Sequence, residues 1–187
     1  MSLNLNYPRK YYTYEDFLAI DDEHRYELYD GEIYMLASPS SRHQEISVEL
    51  IKQIAVFLTG KKCKILHDFD VHLHNRKKDV VFAPDIIIVC DPSKIKYRDC
   101  EGAPDVVMEI LSPSTSRWDE VVKFNEYLRA GVLEYWIIDP INNFVTTYRL
   151  EDGKYVAEKY TNAAPIMALP GCEIDLSLLF PEETANE

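Results

Sequence analysis

Two kinds of apolar spacing alternate along the chain. From Ser41 to Gly60, Ile46, Leu50, Ile54 and Phe57 recur every three or four residues, and Ile51, Ala55 and Leu58 widen the stripe. That period predicts an amphipathic helix laid on a core. Ser41 with Gln44 has the spacing of a capping box at its start, and Gly60 supplies a stop. Elsewhere the apolar residues come in short unbroken runs. Ala83–Val89 holds four consecutive β-branched residues, Ile86 to Val89, and Asp105–Leu111 is apolar apart from its aspartate and Glu109. Such runs fit strands buried on both faces.

The remaining pattern predicts a short helix at 13–24, carried by Phe17, Leu18 and Ile20. Strands are expected at 32–37, 63–67, 69–74, 80–82, 134–139, 144–149, 155–160 and 172–174. Asp30-Gly31, Asn75 to Lys78, Pro140 to Asn143 and Gly153 mark turns, and 91–102 reads as a polar loop. Ser116 and Asp119 open another helix, which Trp118, Val121, Val122 and Leu128 pin to the core and Gly131 closes. The order predicts an α/β fold, a central mixed β-sheet flanked by helices with additional C-terminal antiparallel strands. A chain of 187 residues suits one domain. Within it, 13–37 forms an N-terminal helix and strand, 38–139 the core, and 140–187 a C-terminal hairpin and tail. Phe144, Tyr148, Tyr155 and Tyr160 of that hairpin serve either as core or as a subunit interface.

Composition narrows the setting. No apolar run approaches the roughly 18 residues of a membrane span. The opening MSLNLNYPRK lacks a signal-peptide core, which points to the cytoplasm. The four cysteines form no Cys-x-x-Cys pair and read as free buried thiols. A net charge of -12 argues against nucleic-acid binding through the overall field. The charge is uneven, however: Lys61, Lys62, Lys64, Arg76, Lys77 and Lys78 face only Asp68 and Asp70 within 60–78. This basic edge could receive a phosphate backbone, or be a solvated hairpin.

Two carboxylates carry the chemistry. Pro84 cannot donate to a ladder and marks a strand start, which places Asp85 at its first position. Glu109 sits inside a run that is apolar on both faces, where a lone carboxylate is costly unless paired or bound to a cation. Two carboxylates on neighbouring buried strands are natural ligands for Mg²⁺, which favours oxygen and often shares its shell with a substrate phosphate.

Pro84-Asp85 followed by Glu109-Ile110-Leu111 resembles the PD-(D/E)XK nuclease motif. Four ordered stretches resemble, more closely, the Uma2-like (DUF820) restriction endonuclease family of that superfamily. They are Tyr26 to Glu32, Pro84-Asp85, Val107 to Thr115, and Lys123 to Asp139. The resemblance implies a restriction-endonuclease-like fold and Mg²⁺- or Mn²⁺-dependent cleavage of DNA. Its metal would be held by Asp85, Glu109 and the Ile110 carbonyl, with Glu27 joining the shell and Lys123 as the catalytic lysine. The motif's lysine would stand two residues after Glu109, where this chain has Leu111. The resemblance therefore moves that role to Lys123 on the following helix; a surface ion pair with Asp119 is its other reading. His43 reads as a capping-turn residue or as a contact to phosphate or carboxylate. Pairing of two subunits is also implied by the resemblance. Two other functions fit the same carboxylates: a DNA- or protein-binding module that has lost catalysis, and a metal-dependent hydrolase of small phosphates.

Overall fold

The computed structural model describes residues 11–74, 79–113 and 116–181. The two unbroken apolar runs become β6 (Ile86–Val89) and β8 (Val106–Ile110), both buried throughout and paired antiparallel. They lie at the centre of a six-stranded mixed sheet. Beside β8 runs β9 (Glu134–Asp139), then β10 (Phe144–Glu151) and β11 (Lys154–Tyr160), while β3 (Lys64–His67) covers the other edge. Only β8 and β9 are parallel in this sheet. A parallel step needs a crossover, and the segment that makes it carries helix. A π-helical turn at Trp118–Lys123 continues directly into an α-helix at Phe124–Ala130, closed by Gly131 in the left-handed region.

Double-sided burial has a simple cause, because the sheet is covered on both faces. On one face lies α2 (Ser41–Leu58), whose Ile46, Leu50, Ile54 and Leu58 meet Ile86, Ile88, Met108 and Ile110. The short pair β12 (Ala163–Ile166) and β13 (Cys172–Asp175) joins this layer through Ala164, Ile166 and Ile174. On the other face Ile87, Val107 and Ile137 pack with Val71, Leu73, Phe82 and Tyr127. Those partners include a second, five-stranded sheet. Its strands are β1 (Tyr26–Tyr29), β2 (Glu32–Met35), β4 (Asp70–Leu73), β5 (Val80–Phe82) and β7 (Asp99–Glu101), in the order β2-β1-β5-β4-β7.

Several sequence expectations shift. The first helix, α1, is only Tyr14–Leu18, because Thr13 and Asp16 close a capping box and no fully buried stripe extends it. Ser40, not Ser41, caps α2, accepting the His43 amide at 3.2 Å. The polar loop 91–102 contains a 3-10 turn, Pro92–Lys94, and the strand β7. β12 was not foreseen, since its Pro165 reads as a breaker; it pairs only with β13. Val121 is exposed rather than in the core. The turn expected at 75–78 and the tail at 182–187 lie outside the described residues. In the C-terminal hairpin, Tyr148 and Tyr155 are half-buried and pack edge-on against Phe124, at 4.9 and 5.2 Å between ring centroids. No described helix is long and apolar enough to cross a membrane.

The cysteine expectation is corrected at two of four positions. Lys64 pairs with Val89 in the β3–β6 register, so the next residues outward, Cys63 and Cys90, stand opposite one another and form a disulfide. Cys100 and Cys172 remain free and buried. Sequence spacing could not show this, because the pair is created by strand register across 27 residues. Protein purified without reductant should therefore take up two alkylating groups when denatured, and four after reduction, by intact mass. Four without reduction would contradict the disulfide.

Candidate active site

The site begins where the β6–β8 ladder stops. Asp85 stands one residue before β6, opposite Glu109 in the register that pairs Ile86 with Met108. Pro84 has no N–H and the ladder cannot continue through it. The Ile110 amide, which would otherwise lack a partner at this edge, donates to Asp85 Oδ2 at 2.7 Å. The Asp85 carboxylate thus replaces the missing strand and is held at the end of β8.

Glu109 is nearly fully buried, and its Oε1 accepts from Lys123 Nζ at 2.9 Å and from the Tyr127 hydroxyl at 3.4 Å. Lys123 contacts two further carboxylates, Glu27 Oε1 at 2.8 Å and Asp119 Oδ1 at 3.3 Å. The pair of Asp119 with Lys123 is not on the surface: the two side chains are 3% and 5% exposed. The reason is the π-helical turn. The Phe124 amide reaches back to the Asp119 carbonyl, widening the helix so that Asp119 and Lys123 both turn inward, and the Tyr135 hydroxyl donates to the same carbonyl at 3.0 Å. Glu27 lies behind Lys123. Its Oε1 also accepts the Ala83 amide at 3.1 Å, and its Oε2 accepts the Trp118 indole at 2.8 Å. Leu111 packs against the second core, so β8 itself offers no lysine.

These groups form one wall of a cavity of about 860 Å³, lined among others by Asp85, Glu109, Ile110, Asp119, Lys123 and His43. Sequence reasoning passed over Asp119 and undervalued His43. The imidazole Nε2 lies 3.1 Å from Asp85 Oδ2, and the side chain is only 14% exposed. A histidine in the first turn of a helix, three residues after its cap, was the available signal. The expected basic edge is elsewhere. Lys61, Lys62 and Lys64 sit at the end of β3 that meets Val89, whereas Asp85 is at the His67 end; Arg76 to Lys78 lie outside the described residues. Arg25, Arg42 and Lys52 line the cavity instead.

Electrostatics set this cavity apart. Burial pushes the Glu109 carboxyl well above its ordinary range; Lys123 opposes the shift, and Asp119, Asp85 and Glu27 add to it. Burial would lower Lys123, but Glu109, Glu27 and Asp119 outweigh it and keep the ammonium charged. Burial likewise disfavours the charged form of His43, yet the hydrogen bond and charge of Asp85 raise its pKa overall. Three carboxylates therefore converge on one ammonium, with Asp85 close by. That donor set, two cavity-lining carboxylates beside a strand-end carbonyl, fits a hard divalent cation. A second group of possible ligands, His72, His74 and Asp79, has donor atoms within 4.8 Å of one another at the end of β4. The spacing of two between its histidines was the overlooked clue.

Excess negative charge has a testable sign. Removing Lys123 as Met should lower the stability of chelator-treated protein at pH 8 by about 3–5 kcal/mol, since three buried carboxylates lose their counter-charge. Replacing its partner Glu109 with Gln breaks the same contact yet should be neutral or raise stability by about 1 kcal/mol. Because Glu109 titrates above its unfolded value, its ionisation weakens the fold as pH rises through the folded pKa. Falling pH should accordingly shrink the Lys123→Met deficit towards the ordinary carboxylate range. Urea unfolding at pH 5 and pH 8 measures both; equal losses for the two variants would contradict the charge imbalance.

Comparison with known proteins agrees with this architecture. An uncharacterized Synechocystis protein, slr1290, is 29% identical over 151 residues, 78% of each chain. A second from that organism, sll1609, is 24% identical over 156 residues, covering 82% of this chain and 84% of the other. The crystal structure of a putative nuclease belonging to DUF820, from Anabaena variabilis, superposes with a TM-score of 0.74 at 20% identity, over 90% of this chain and 97% of that one. The Uma2 family model, described as putative restriction endonuclease, matches residues 11–178, and the chain belongs to that family.

Proposed function

We propose that the protein is a metal-dependent endonuclease that hydrolyses DNA phosphodiester bonds at the Asp85–Glu109 site. The observation that carries this reading is the Lys123 ammonium, 2.9 Å from Glu109 on the wall of a cavity that Asp85 also lines. A cation arriving from the crossover helix supplies what Leu111 on the strand cannot. Asp85, Glu109 and the Ile110 carbonyl would hold Mg²⁺ or Mn²⁺, which when bound acidifies a water and offsets charge on the scissile phosphate.

The chain's own groups divide the remaining work. Lys123 orients the attacking water or neutralises a phosphate oxygen from a fixed position, so little reorganisation is needed during reaction. Glu27 has both oxygens engaged by protein donors and acts as a positioning residue that holds Lys123, rather than as a metal ligand. Arg25 and Arg42 at the cavity, with the N-terminal turn of α2 beside them, favour an anionic backbone there despite the acidic body of the molecule.

Purified protein should nick supercoiled plasmid with Mg²⁺ or Mn²⁺ and stop when the metal is chelated. Asp85→Ala and Glu109→Ala should each reduce the rate at least about 100-fold, and Lys123→Ala should lower kcat more than it raises KM. Glu27→Gln should leave measurable, slower cleavage. Nicking that survives both Asp85→Ala and Glu109→Ala would defeat the assignment.

A further inference from the structure

We infer that His43 is a side-chain ligand of the metal at this site, adding an imidazole to the oxygen donors and tuning the site to Mn²⁺ and other transition ions over Mg²⁺. The inference rests on the metal-dependent reading above and makes it more specific.

Its geometry comes from two ends. The Ser40 hydroxyl fixes the His43 amide at the start of α2, which aims the side chain along the sheet edge rather than into solvent. The ring then meets one of the groups proposed to hold the ion. Nε2 is 3.1 Å from Asp85 Oδ2, and His43 lines the same cavity as Glu109 and Ile110. Adjacent donors on one octahedral ion with bonds of about 2.1 Å are separated by about 3.0 Å. The His43–Asp85 pair already has the spacing of two such donors.

A purely structural role explains less. Asp85 needs no histidine to orient it, because the Ile110 amide holds the same oxygen at 2.7 Å. The other ring nitrogen, Nδ1, is buried without a hydrogen-bond partner among the described residues. Among the described residues the imidazole's hydrogen bond is therefore to Asp85, a group of the cavity. Imidazole suits first-row transition ions such as Zn²⁺ and Fe²⁺, and Mn²⁺, the weakest of that series, still takes a nitrogen donor more readily than Mg²⁺, which prefers an all-oxygen shell.

The test is pulsed electron paramagnetic resonance of the full chain loaded with Mn²⁺. Expected is a nitrogen modulation that persists in His74→Ala, disappears in His43→Gln, and changes from the ¹⁴N to the ¹⁵N pattern when the unsubstituted protein is made with ¹⁵N-histidine. Competition titration should show the Mn²⁺-over-Mg²⁺ preference falling about 10-fold or more in His43→Gln. Mn²⁺ whose binding depends on Asp85 and Glu109 but which carries no histidine coupling, or whose coupling survives His43→Gln, would overturn the inference while leaving the carboxylate site intact. Absence of any Asp85- and Glu109-dependent Mn²⁺ binding would overturn the metal reading as well. The isotope experiment needs no substitution, so misfolding of a variant does not blunt the test.

Discussion

One buried ammonium ties the molecule together. Lys123 joins three parts of the chain that sequence leaves far apart: β1 through Glu27, β8 through Glu109, and the crossover turn through Asp119. Its burial is tolerable only because those carboxylates surround it, and theirs only because it is there. The balance is unequal, with more negative than positive charge in a low-dielectric space. That imbalance is the physical basis for proposing that a cation binds in the cavity.

The rest of the fold can be understood as the means of holding that cluster at a sheet edge. Packing on both faces of the six-stranded sheet makes β6 and β8 rigid, and the sheet's end, where Pro84 stops the ladder, becomes the place where Asp85 can substitute for a strand. The parallel β8–β9 step obliges the chain to cross over, and the crossover delivers Lys123. The π-helical turn draws Asp119 inward with the lysine. The N-terminus of α2 completes the cavity from the opposite side with His43.

Where sequence reasoning and structure part company, the cause is strand register or the second sheet. Cys63 and Cys90 have no sequence relationship until β3 pairs with β6. Lys61, Lys62 and Lys64 of the basic edge lie at the far end of the strand pair from Asp85, which only the same register reveals. The five-stranded sheet was hidden because its strands are three or four residues long and come from separated parts of the chain. Likewise, no local pattern distinguishes an aromatic hairpin that packs on its own Phe124 from one that binds a partner.

By itself the sequence determined the main elements and the carboxylate pair. Unbroken β-branched runs fit central strands, a 3.6-residue stripe fits a surface helix, and a glutamate inside such a run calls for a counter-charge or a cation. The ordered motifs around Asp85, Glu109 and Lys123 also located the family. Tertiary structure alone decided what surrounds that pair: that Lys123 is buried rather than solvated, that Glu27 supports it from behind, that Asp119 is drawn into the cluster, and that His43 stands beside Asp85. The physical reason is range. Propensity and periodicity act over a few neighbouring residues, whereas desolvation and charge pairing depend on which distant segments meet, and Asp85 and Glu109 acquire their surroundings only from those meetings.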